Sequence, residues 1–251
     1  MTKPTALVTG ATSGIGEATA RILSPTHRLI ICGRREDRLS KLATELSQAT
    51  DVLTLSFDVR DKAAVDSALG KLPDEWASIA LLINNAGNAH GLDHIHEASV
   101  DDWDAMIDIN VKGLLYVTQV VLPEMVKSNH GHVINIGSIA GKEVYERGSV
   151  YCASKFAVDA LTQGMRLDLN SHGIRVTSIN PGLVETEFSI VRFKGDEDRA
   201  KSVYAGFQPL TAEDIADAIR YVALAPPHVT VTDMTILATA QASATKVNRR
   251  S

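Results

Sequence analysis

Short apolar runs alternate with longer amphipathic segments along the chain, and this alternation restricts the fold more than any other feature of the sequence. The apolar runs are continuous, which is typical of strands buried on both faces of a sheet. They are residues 6–8, 29–32, 52–55, 80–83, 132–136, 175–179 and 234–237. The segments between them have helical spacing, as at Leu39, Leu42 and Leu46. We therefore predict an α/β fold, a doubly wound parallel sheet with helices on both faces.

Composition indicates a single globular domain. The 251 residues are 45% hydrophobic and 22% charged, which suffices for one sizeable core, and we expect one domain over residues 1–251. The formal net charge of −5 argues against a nucleic-acid partner, which favours a basic surface. Two cysteines, no signal-peptide pattern and no run approaching about 20 apolar residues predict a cytoplasmic protein with no membrane partner.

A glycine-rich turn follows the first predicted strand and opens the first predicted helix. Residues 9–16 read Thr-Gly-Ala-Thr-Ser-Gly-Ile-Gly. Gly10 permits the tight turn, Gly14 lets the backbone approach a pyrophosphate, and Gly16 lets the helix pack closely on the strand. The spacing differs from G-x-G-x-x-G, and no P-loop Gly-Lys-Ser/Thr follows. The position of the turn favours a dinucleotide site, with a purely structural turn as the alternative.

Two arginines after the second strand indicate which dinucleotide binds. NAD-binding sheets place an Asp or Glu about 20 residues beyond the glycines, whereas here Gly33 is followed by Arg34 and Arg35. A guanidinium binds a 2′-phosphate through charge-assisted hydrogen bonds, and Ser13 offers a further hydroxyl. NADP is therefore favoured over NAD. The alternative is that both arginines are solvated residues at a helix start.

A tyrosine and a lysine supply the candidate chemistry. Tyr151 and Lys155 lie at the start of a predicted helix, and their spacing puts them on one helix face. A free tyrosine, with a pKa near 10, is a poor base at neutral pH, and a neighbouring cation favours its phenolate. Ser138 follows a predicted strand at the carboxyl end, where open α/β sheets bind ligands. Its hydroxyl can hold a carbonyl oxygen while Tyr151 moves the proton.

Two further polar features accompany this set. Asn84-Asn85-Ala86-Gly87 ends the fourth predicted strand and is small and polar where a sugar ring could press against the backbone. Asn110 lies inside the following predicted helix, although asparagine is a poor helix former. We interpret Asn110 as a residue that can hold a proton-relay water.

Together these motifs resemble the short-chain dehydrogenase/reductase family over essentially the whole chain. The resemblance also includes Pro181-Gly182, and it implies a Rossmann-type sheet and frequent homotetramers. It assigns a water to Asn110, substrate orientation to Ser138 and the acid/base role to Tyr151. It assigns to Lys155 ribose binding and a lowering of the tyrosine pKa. The implied cofactor-binding residues are Gly10, Thr12, Ser13, Gly14, Ile15, Gly16, Arg34, Arg35, Asp58, Val59, Asn85, Ala86, Gly87, Tyr151, Lys155, Pro181, Gly182, Val184 and Thr186.

One branch of the family resembles the chain more closely. Residues 180–196, together with Gly33-Arg34-Arg35 and residues 150–155, are similar to NADP-dependent 3-hydroxy acid dehydrogenases, also described as serine or allo-threonine dehydrogenases and malonic semialdehyde reductases. The branch implies hydride transfer between NADP and the 3-position of a small 3-hydroxy acid, with a substrate loop at about residues 183–210. The alternatives are a reductase of an unrelated ketone or aldehyde and a non-catalytic NADP-binding sensor.

The carboxylate of a 3-hydroxy acid needs a charge partner in the site. Arg147, Arg192 and Lys194 lie in segments expected to border it. We predict that Arg192 binds the substrate, because its planar fork matches a carboxylate. The alternative is that Arg192 orders the loop by pairing with a carboxylate of the protein. The carboxylates within reach along the chain are Glu185, Glu187 and Asp196.

Two features carry weaker interpretations. His90, His94 and His96 suggest a metal site, but no Cys or paired carboxylate completes the set and hydride transfer needs no metal. We predict solvated histidines and no metal. The polar tail, residues 241–251, is interpreted as a frayed terminus or an oligomer contact.

Overall fold

A seven-stranded parallel sheet forms the centre of the protein in this computed structural model, which describes residues 3–250. The strands are β1 (Thr5–Thr9), β2 (Arg28–Gly33), β3 (Val52–Ser56), β4 (Ile79–Asn84), β5 (Gly131–Ile136), β6 (Ile174–Pro181) and β7 (Asp233–Ile236). Their order is β3-β2-β1-β4-β5-β6-β7, and each neighbouring pair is parallel. The predicted doubly wound sheet is confirmed. The strand order reverses between β1 and β4, where open α/β sheets bind ligands.

Helices cover both faces of the sheet. They are α1 (Gly14–Leu23), α2 (Glu36–Leu46), α3 (Lys62–Leu69), α4 (Asp74–Ala77), α5 (Val100–Ile107), α6 (Leu114–Ser128), α7 (Ser149–Leu169), α8 (Phe188–Arg192), α9 (Glu197–Ser202) and α10 (Ala212–Ala223). A π-helical turn, Asp108–Gly113, joins α5 to α6, and 3₁₀ turns lie at Ile139–Gly141 and Asn170–His172. The predicted helix that contains Asn110 is therefore continuous but changes its winding at the π-helical turn.

The sheet divides the core into two layers, because side chains alternate between the faces of each strand. On one face Leu7 of β1 packs with Val117 of α6. On the other face Ile83 of β4 packs with Leu23 of α1 and Ile219 of α10. Burying side chains of this size contributes about 1.5–3 kcal/mol each. This packing fixes the strand ends from which the polar residues of the site project.

The helical segment Val100–Ser128 is long and apolar enough, by length and composition, to cross a membrane. The sequence prediction concerned an unbroken apolar run, and polar residues such as Lys112, Thr118 and Gln119 interrupt this segment. Val117, Val121 and Met125 of this segment are buried against the sheet. We attribute its apolar character to packing in the protein core.

Residues 183–210, here called the lid segment, connect β6 to α10. They contain α8 and α9, and a parallel bridge between Val184 and Leu210 closes the base of the segment. The segment predicted as a substrate loop therefore has short helices of its own.

The C-terminal tail packs against the lid segment. The side-chain oxygen of Gln241, a residue only 4% exposed, accepts a hydrogen bond of 2.9 Å from the Leu183 amide. The Arg249 guanidinium donates to the Val203 carbonyl at 2.9 Å. The expectation of a frayed terminus is therefore wrong for residues 241–250, and residue 251 lies outside the described range.

Candidate active site

A cavity of about 510 Å³ opens at the carboxyl ends of the central strands. It reaches from the glycine turn and Arg34 past the end of β4 to Tyr151 and the lid segment. The predicted site residues line this cavity with two exceptions, Gly16 and Asn110. Gly16 packs beneath the glycine turn, against the Gly10 carbonyl. Asn110 lies behind the loop that follows β4 and is hydrogen-bonded to Asn88 of that loop.

The glycine turn has the backbone that its residues suggest. Gly10 and Gly14 have φ angles of +66° and +53°, a region that side chains disfavour. A Cβ on Gly10 would lie 2.9 Å from the side-chain nitrogen Nδ2 of Asn85. A Cβ on Gly16 would collide with the same Nδ2 and with the Gly10 carbonyl. The turn therefore forms a narrow cradle at the N-terminus of α1, with the backbone exposed to the cavity.

Arginines surround the adjacent end of the cavity. Arg35 donates to Thr12 Oγ1 at 3.0 Å and to Ser13 Oγ at 2.7 Å. Its Nη1 also lies 2.7 Å from a carboxylate oxygen of Glu187 in the lid segment. The Arg34 side chain is 58% exposed and lies 3.6 Å from Asp58. Both arginines thus face the cavity, but Arg35 is held by the glycine turn and Arg34 is more open.

The loop after β4 is fixed from below by two buried polar residues. Thr9 Oγ1 accepts hydrogen bonds from the Asn85 and Ala86 amides at 3.0 and 2.9 Å. Asn110 Oδ1 accepts from the Asn88 amide at 2.9 Å, and its Nδ2 donates to the Asn88 carbonyl at 2.8 Å. The Asn110 side chain therefore holds the loop in place, and a water on Asn110 stays a prediction.

Ser138, Tyr151 and Lys155 meet at the other end of the cavity. Ser138 follows β5 and caps the 3₁₀ turn, accepting from the Ala140 amide at 3.1 Å. Lys155 Nζ donates to the Ile136 carbonyl at 2.9 Å and lies 6.0 Å from the Tyr151 ring centroid. One strand end and one helix face therefore bring the hydroxyl, the phenol and the ammonium group together, as the sequence predicted.

Burial changes the ionisation of both helix residues. Burial raises the pKa of Tyr151 above its usual value, and the hydrogen bond with Ser138 and the charge of Arg192 oppose this only in part. Burial lowers the pKa of Lys155 to about 8. The tyrosine is therefore a neutral acid at pH 7 in the protein alone. The lowering of the tyrosine pKa by Lys155 that the resemblance implies stays a prediction.

Arg192 lies beside this group. Its Nε donates to the Gly91 carbonyl at 3.0 Å and its Nη1 donates to the Tyr145 hydroxyl at 2.9 Å. Its guanidinium carbon is 5.7 Å from the Tyr151 ring centroid. Within residues 3–250 Arg192 forms no ion pair with Glu185, Glu187 or Asp196, so the predicted alternative pairing is absent. Arg192 instead lines the cavity.

The other two candidate cations are used elsewhere. Lys194 lies 2.9 Å from an Asp102 carboxylate oxygen. Arg147 Nε lies 3.1 Å from His94 Nε2. Neither residue lines the large cavity. Arg192 is therefore the one member of the predicted trio that can meet a ligand there.

The family follows from the similarity of the chain to known proteins. Residues 4–196 match the family described as short chain dehydrogenase. The chain belongs to this family. It is therefore an oxidoreductase that acts on CH–OH groups, and the resemblance predicted from the motifs is confirmed.

Similarity to individual proteins extends over nearly the full chain. The NADP-dependent 3-hydroxy acid dehydrogenase YdfG of Escherichia coli (strain K12) is 47% identical, over 95% of this chain and 96% of that protein. Sulfoacetaldehyde reductase 2 of Chromohalobacter salexigens is 44% identical, over 97% of this chain and 98% of that protein. A solved closed form of serine dehydrogenase complexed with NADP+ superposes with a TM-score of 0.92 at 46% identity, over 96% and 97% of the two chains.

The sequence reasoning singled out neither Arg38 nor Tyr145, and it did not expect Glu187 to contact the arginines of the cofactor end. Arg38 of α2 places Nη1 2.6 Å from Glu187, which Arg35 also contacts. Tyr145 lines the cavity and holds Arg192. The spacing of Arg35 and Arg38 on one helix face was a usable signal for Arg38. Tyr145 and Glu187 had no local signal, because their partners are distant in sequence.

The three histidines lie in the connection between β4 and α5. The rings of His94 and His96 stack with centroids 5.7 Å apart, and His94 also contacts Arg147. Within residues 3–250, no group of three or more His, Cys, Asp or Glu side chains is placed to hold a metal ion.

Proposed function

We propose that the enzyme transfers a hydride between NADP(H) and the 3-position of a small 3-hydroxy acid, of the serine, allo-threonine or 3-hydroxypropionate/malonic semialdehyde type. The observation that carries the proposal is the guanidinium of Arg192, which lines the cavity beside the Tyr151 ring. The 3-hydroxy acid dehydrogenase and serine dehydrogenase relatives support the same substrate class. Turnover of 3-hydroxy acids against uncharged alcohols tests it.

Arg192 has the donors that a substrate carboxylate requires. A guanidinium carries five N–H groups in a planar fork, and the bonds to Gly91 and Tyr145 use one on Nε and one on Nη1. The remaining donors allow the paired hydrogen bonds by which arginine binds carboxylates. Tyr145 also orients the guanidinium, since its hydroxyl is the acceptor on the Nη1 side.

The residues around the reacting carbon divide the proton chemistry among them. In the reducing direction, Tyr151 donates its phenolic proton to the carbonyl oxygen, and Ser138 orients that oxygen. In the oxidising direction, the positive charge of Lys155 favours the phenolate that removes the proton. Asn110 supports the loop after β4 and a proton-relay water. NADP(H), when bound, supplies or accepts the hydride.

The residues at the opposite end of the cavity fit NADP. The cradle of Gly10 and Gly14 leaves no room for side chains, as close approach of a pyrophosphate requires. Among the residues that the structure describes, Lys155 Nζ donates to the Ile136 carbonyl alone, and its other N–H groups are available to ribose hydroxyls. Arg34 and Arg35, which both line the cavity, are the cations suited to a 2′-phosphate, and Arg34 is the more exposed of the two.

Replacing Arg34 with aspartate is expected to lower the NADP/NAD ratio of kcat/KM by about 10-fold or more. The substitution removes a donor to the phosphate, introduces a like charge and offers an acceptor to the free ribose hydroxyl of NAD. Steady-state kinetics with both cofactors measures the ratio. Arg60→Asp is the matched control, because Arg60 pairs with the same Asp58 but lies outside the cavity. An unchanged ratio in Arg34→Asp assigns cofactor selection to other residues.

A second substrate class is favoured by one observation. A guanidinium binds sulfonate oxygens as it binds carboxylate oxygens, and one close relative is a sulfoacetaldehyde reductase. Reduction of an aldehyde that carries a sulfonate is therefore the alternative within the same site. The grouping of Ser138, Tyr151 and Lys155 on the cavity argues against a non-catalytic NADP-binding sensor. Activity on an unrelated uncharged ketone would leave Arg192 without a role.

We also propose a cytoplasmic homotetramer with D₂ symmetry, without nucleic-acid or membrane partners. α7 exposes Phe156 and Leu167 at 41% and 81%, and α6 exposes Leu115 at 37%. A Cβ on Gly164 of α7 would meet nothing within 4 Å. A helix face with apolar side chains and open space next to a glycine suits packing against a second copy.

Light scattering is expected to give a mass close to four chains at micromolar concentration. Phe156→Asp is expected to shift the protein to smaller species, because it buries a charge in the proposed contact. Tyr221→Asp, on the exposed face of α10, serves as the control and leaves the mass unchanged. A stable wild-type monomer contradicts the proposed assembly.

A further inference from the structure

A carboxylate of the lid segment lies on the arginines of the cofactor end. Glu187 immediately precedes α8, and its two oxygens lie 2.7 Å from Arg35 Nη1 and 2.6 Å from Arg38 Nη1. These are contacts between residues 152 and 149 positions apart. The hydrogen bonds from Arg35, followed by those from Arg38, hold the pKa of Glu187 below its usual value. The carboxylate is therefore charged at neutral pH.

Glu187 accepts from the N–H group of Arg35 that does not bind the glycine turn. Arg35 donates from Nε and Nη2 to the hydroxyls of Thr12 and Ser13. Its Nη1, facing away from the turn, donates to Glu187. Arg35, Ser13 and Glu187 all line the cavity. An anionic ligand that reaches Arg35 from the cavity therefore meets the Glu187 carboxylate at the same guanidinium edge.

A phosphate monoester offers the same acceptors as this carboxylate but more charge. It carries about −1.5 to −2 at pH 7 and three acceptor oxygens. Guanidinium groups bind carboxylates and phosphates through the same fork. A phosphate that reaches Arg35 from the cavity therefore competes with the Glu187 carboxylate for the same guanidinium, and its greater charge favours the phosphate.

We propose that Glu187 occupies the 2′-phosphate position in the ligand-free enzyme, and that the phosphate of NADP(H) displaces it and frees the lid segment. The inference rests on the proposed use of NADP but not on the identity of the substrate. Glu187 and Arg192 lie at opposite ends of the five-residue helix α8. Displacement of Glu187 therefore loosens the helix that carries the arginine assigned to the substrate anion. Glu187 is a positioning residue that makes cofactor binding precede closure over the substrate.

Calorimetry with adenosine 2′,5′-bisphosphate and adenosine 5′-monophosphate tests the competition without any turnover. Glu187→Gln is expected to bind the bisphosphate about three- to tenfold more tightly than the wild type, the size expected from losing exposed ion pairs. Its affinity for the monophosphate is expected to stay within about twofold, since that ligand does not reach the arginines. Glu185→Gln, an exposed neighbour in the lid segment, is the matched control and behaves like the wild type.

Hydrogen exchange of residues 188–195 provides a second readout. In the wild type the bisphosphate is expected to speed exchange there, and in Glu187→Gln exchange is expected to be fast already and insensitive to the ligand. If Glu187→Gln binds the bisphosphate no more tightly than the wild type, while the wild type still prefers the bisphosphate to the monophosphate, the displacement of Glu187 is contradicted and the assignment of NADP stands. If the wild type does not prefer the bisphosphate to the monophosphate, the assignment of NADP fails as well.

Discussion

Turnover is expected to fall about 10²–10⁴-fold when Tyr151 is replaced by phenylalanine, while NADPH binding is retained. The ring packs edge-on against Phe188, with centroids 5.7 Å apart, and phenylalanine keeps that contact. The hydroxyl is the only group lost, so the effect isolates proton transfer. Fluorescence titration with NADPH and steady-state kinetics separate binding from chemistry.

The pH dependence of the oxidation rate provides a second test of proton transfer by Tyr151. Burial raises the pKa of Tyr151, so the fraction of phenolate is small at neutral pH and grows as the pH rises. Oxidation by the wild type is therefore expected to accelerate towards alkaline pH, and the residual rate of Tyr151→Phe is expected to lack this rise. Tyr221→Phe, on an exposed helix face, is the control. Near-normal turnover of Tyr151→Phe removes the tyrosine from the proposed mechanism.

Replacing Arg192 with methionine is expected to reduce kcat/KM for 3-hydroxy acids about 10–150-fold, the range of a hydrogen bond to a charged group. Uncharged alcohols of similar size are expected to keep their kcat/KM, because they have no carboxylate to lose. Methionine preserves much of the apolar volume beside Tyr145 and Tyr151, so the packing of α8 is disturbed little. The measurement is the ratio of kcat/KM for the two substrate types.

Two companion variants sharpen this comparison. Lys194→Met removes a neighbouring cation that pairs with Asp102 outside the cavity, and it should leave the ratio unchanged. Tyr145→Phe removes the hydroxyl that accepts from Arg192, and it should lower the ratio in the same direction as Arg192→Met but less. Equal losses on both substrate types in Arg192→Met would mean that the arginine only orders the lid segment.

The fold was predictable because its main determinants are local. The continuous apolar runs specified strands buried on both faces, and polar residues after them marked the carboxyl edge, where Ser138 and Asn85 indeed face one cavity. Spacing alone placed Tyr151 and Lys155 on one helix face. The change to π-helical winding at Asp108–Gly113 was not predictable, since no residue there requires it locally.

Long-range polar contacts account for what the sequence did not reveal. Arg192 is positioned by Gly91, 101 residues away, and Gln241 joins the tail to the lid segment across 58 residues. Neither partner is marked by a periodic pattern or a turn motif. The alternative pairing of Arg192 with Glu185, Glu187 or Asp196 is absent within residues 3–250, since Arg192 instead donates to Gly91 and Tyr145.

The most direct test of the account is a substrate panel followed by the nicotinamide absorbance, with NADP and with NAD. It compares small 3-hydroxy acids, hydroxy sulfonates in which a sulfonate replaces the carboxylate, and uncharged alcohols of the same length. We expect turnover with NADP on the anionic substrates, weak turnover with NAD, and little on the uncharged alcohols. Preference for the uncharged alcohols, or tight NADPH binding without turnover of any substrate in the panel, would contradict the proposed function.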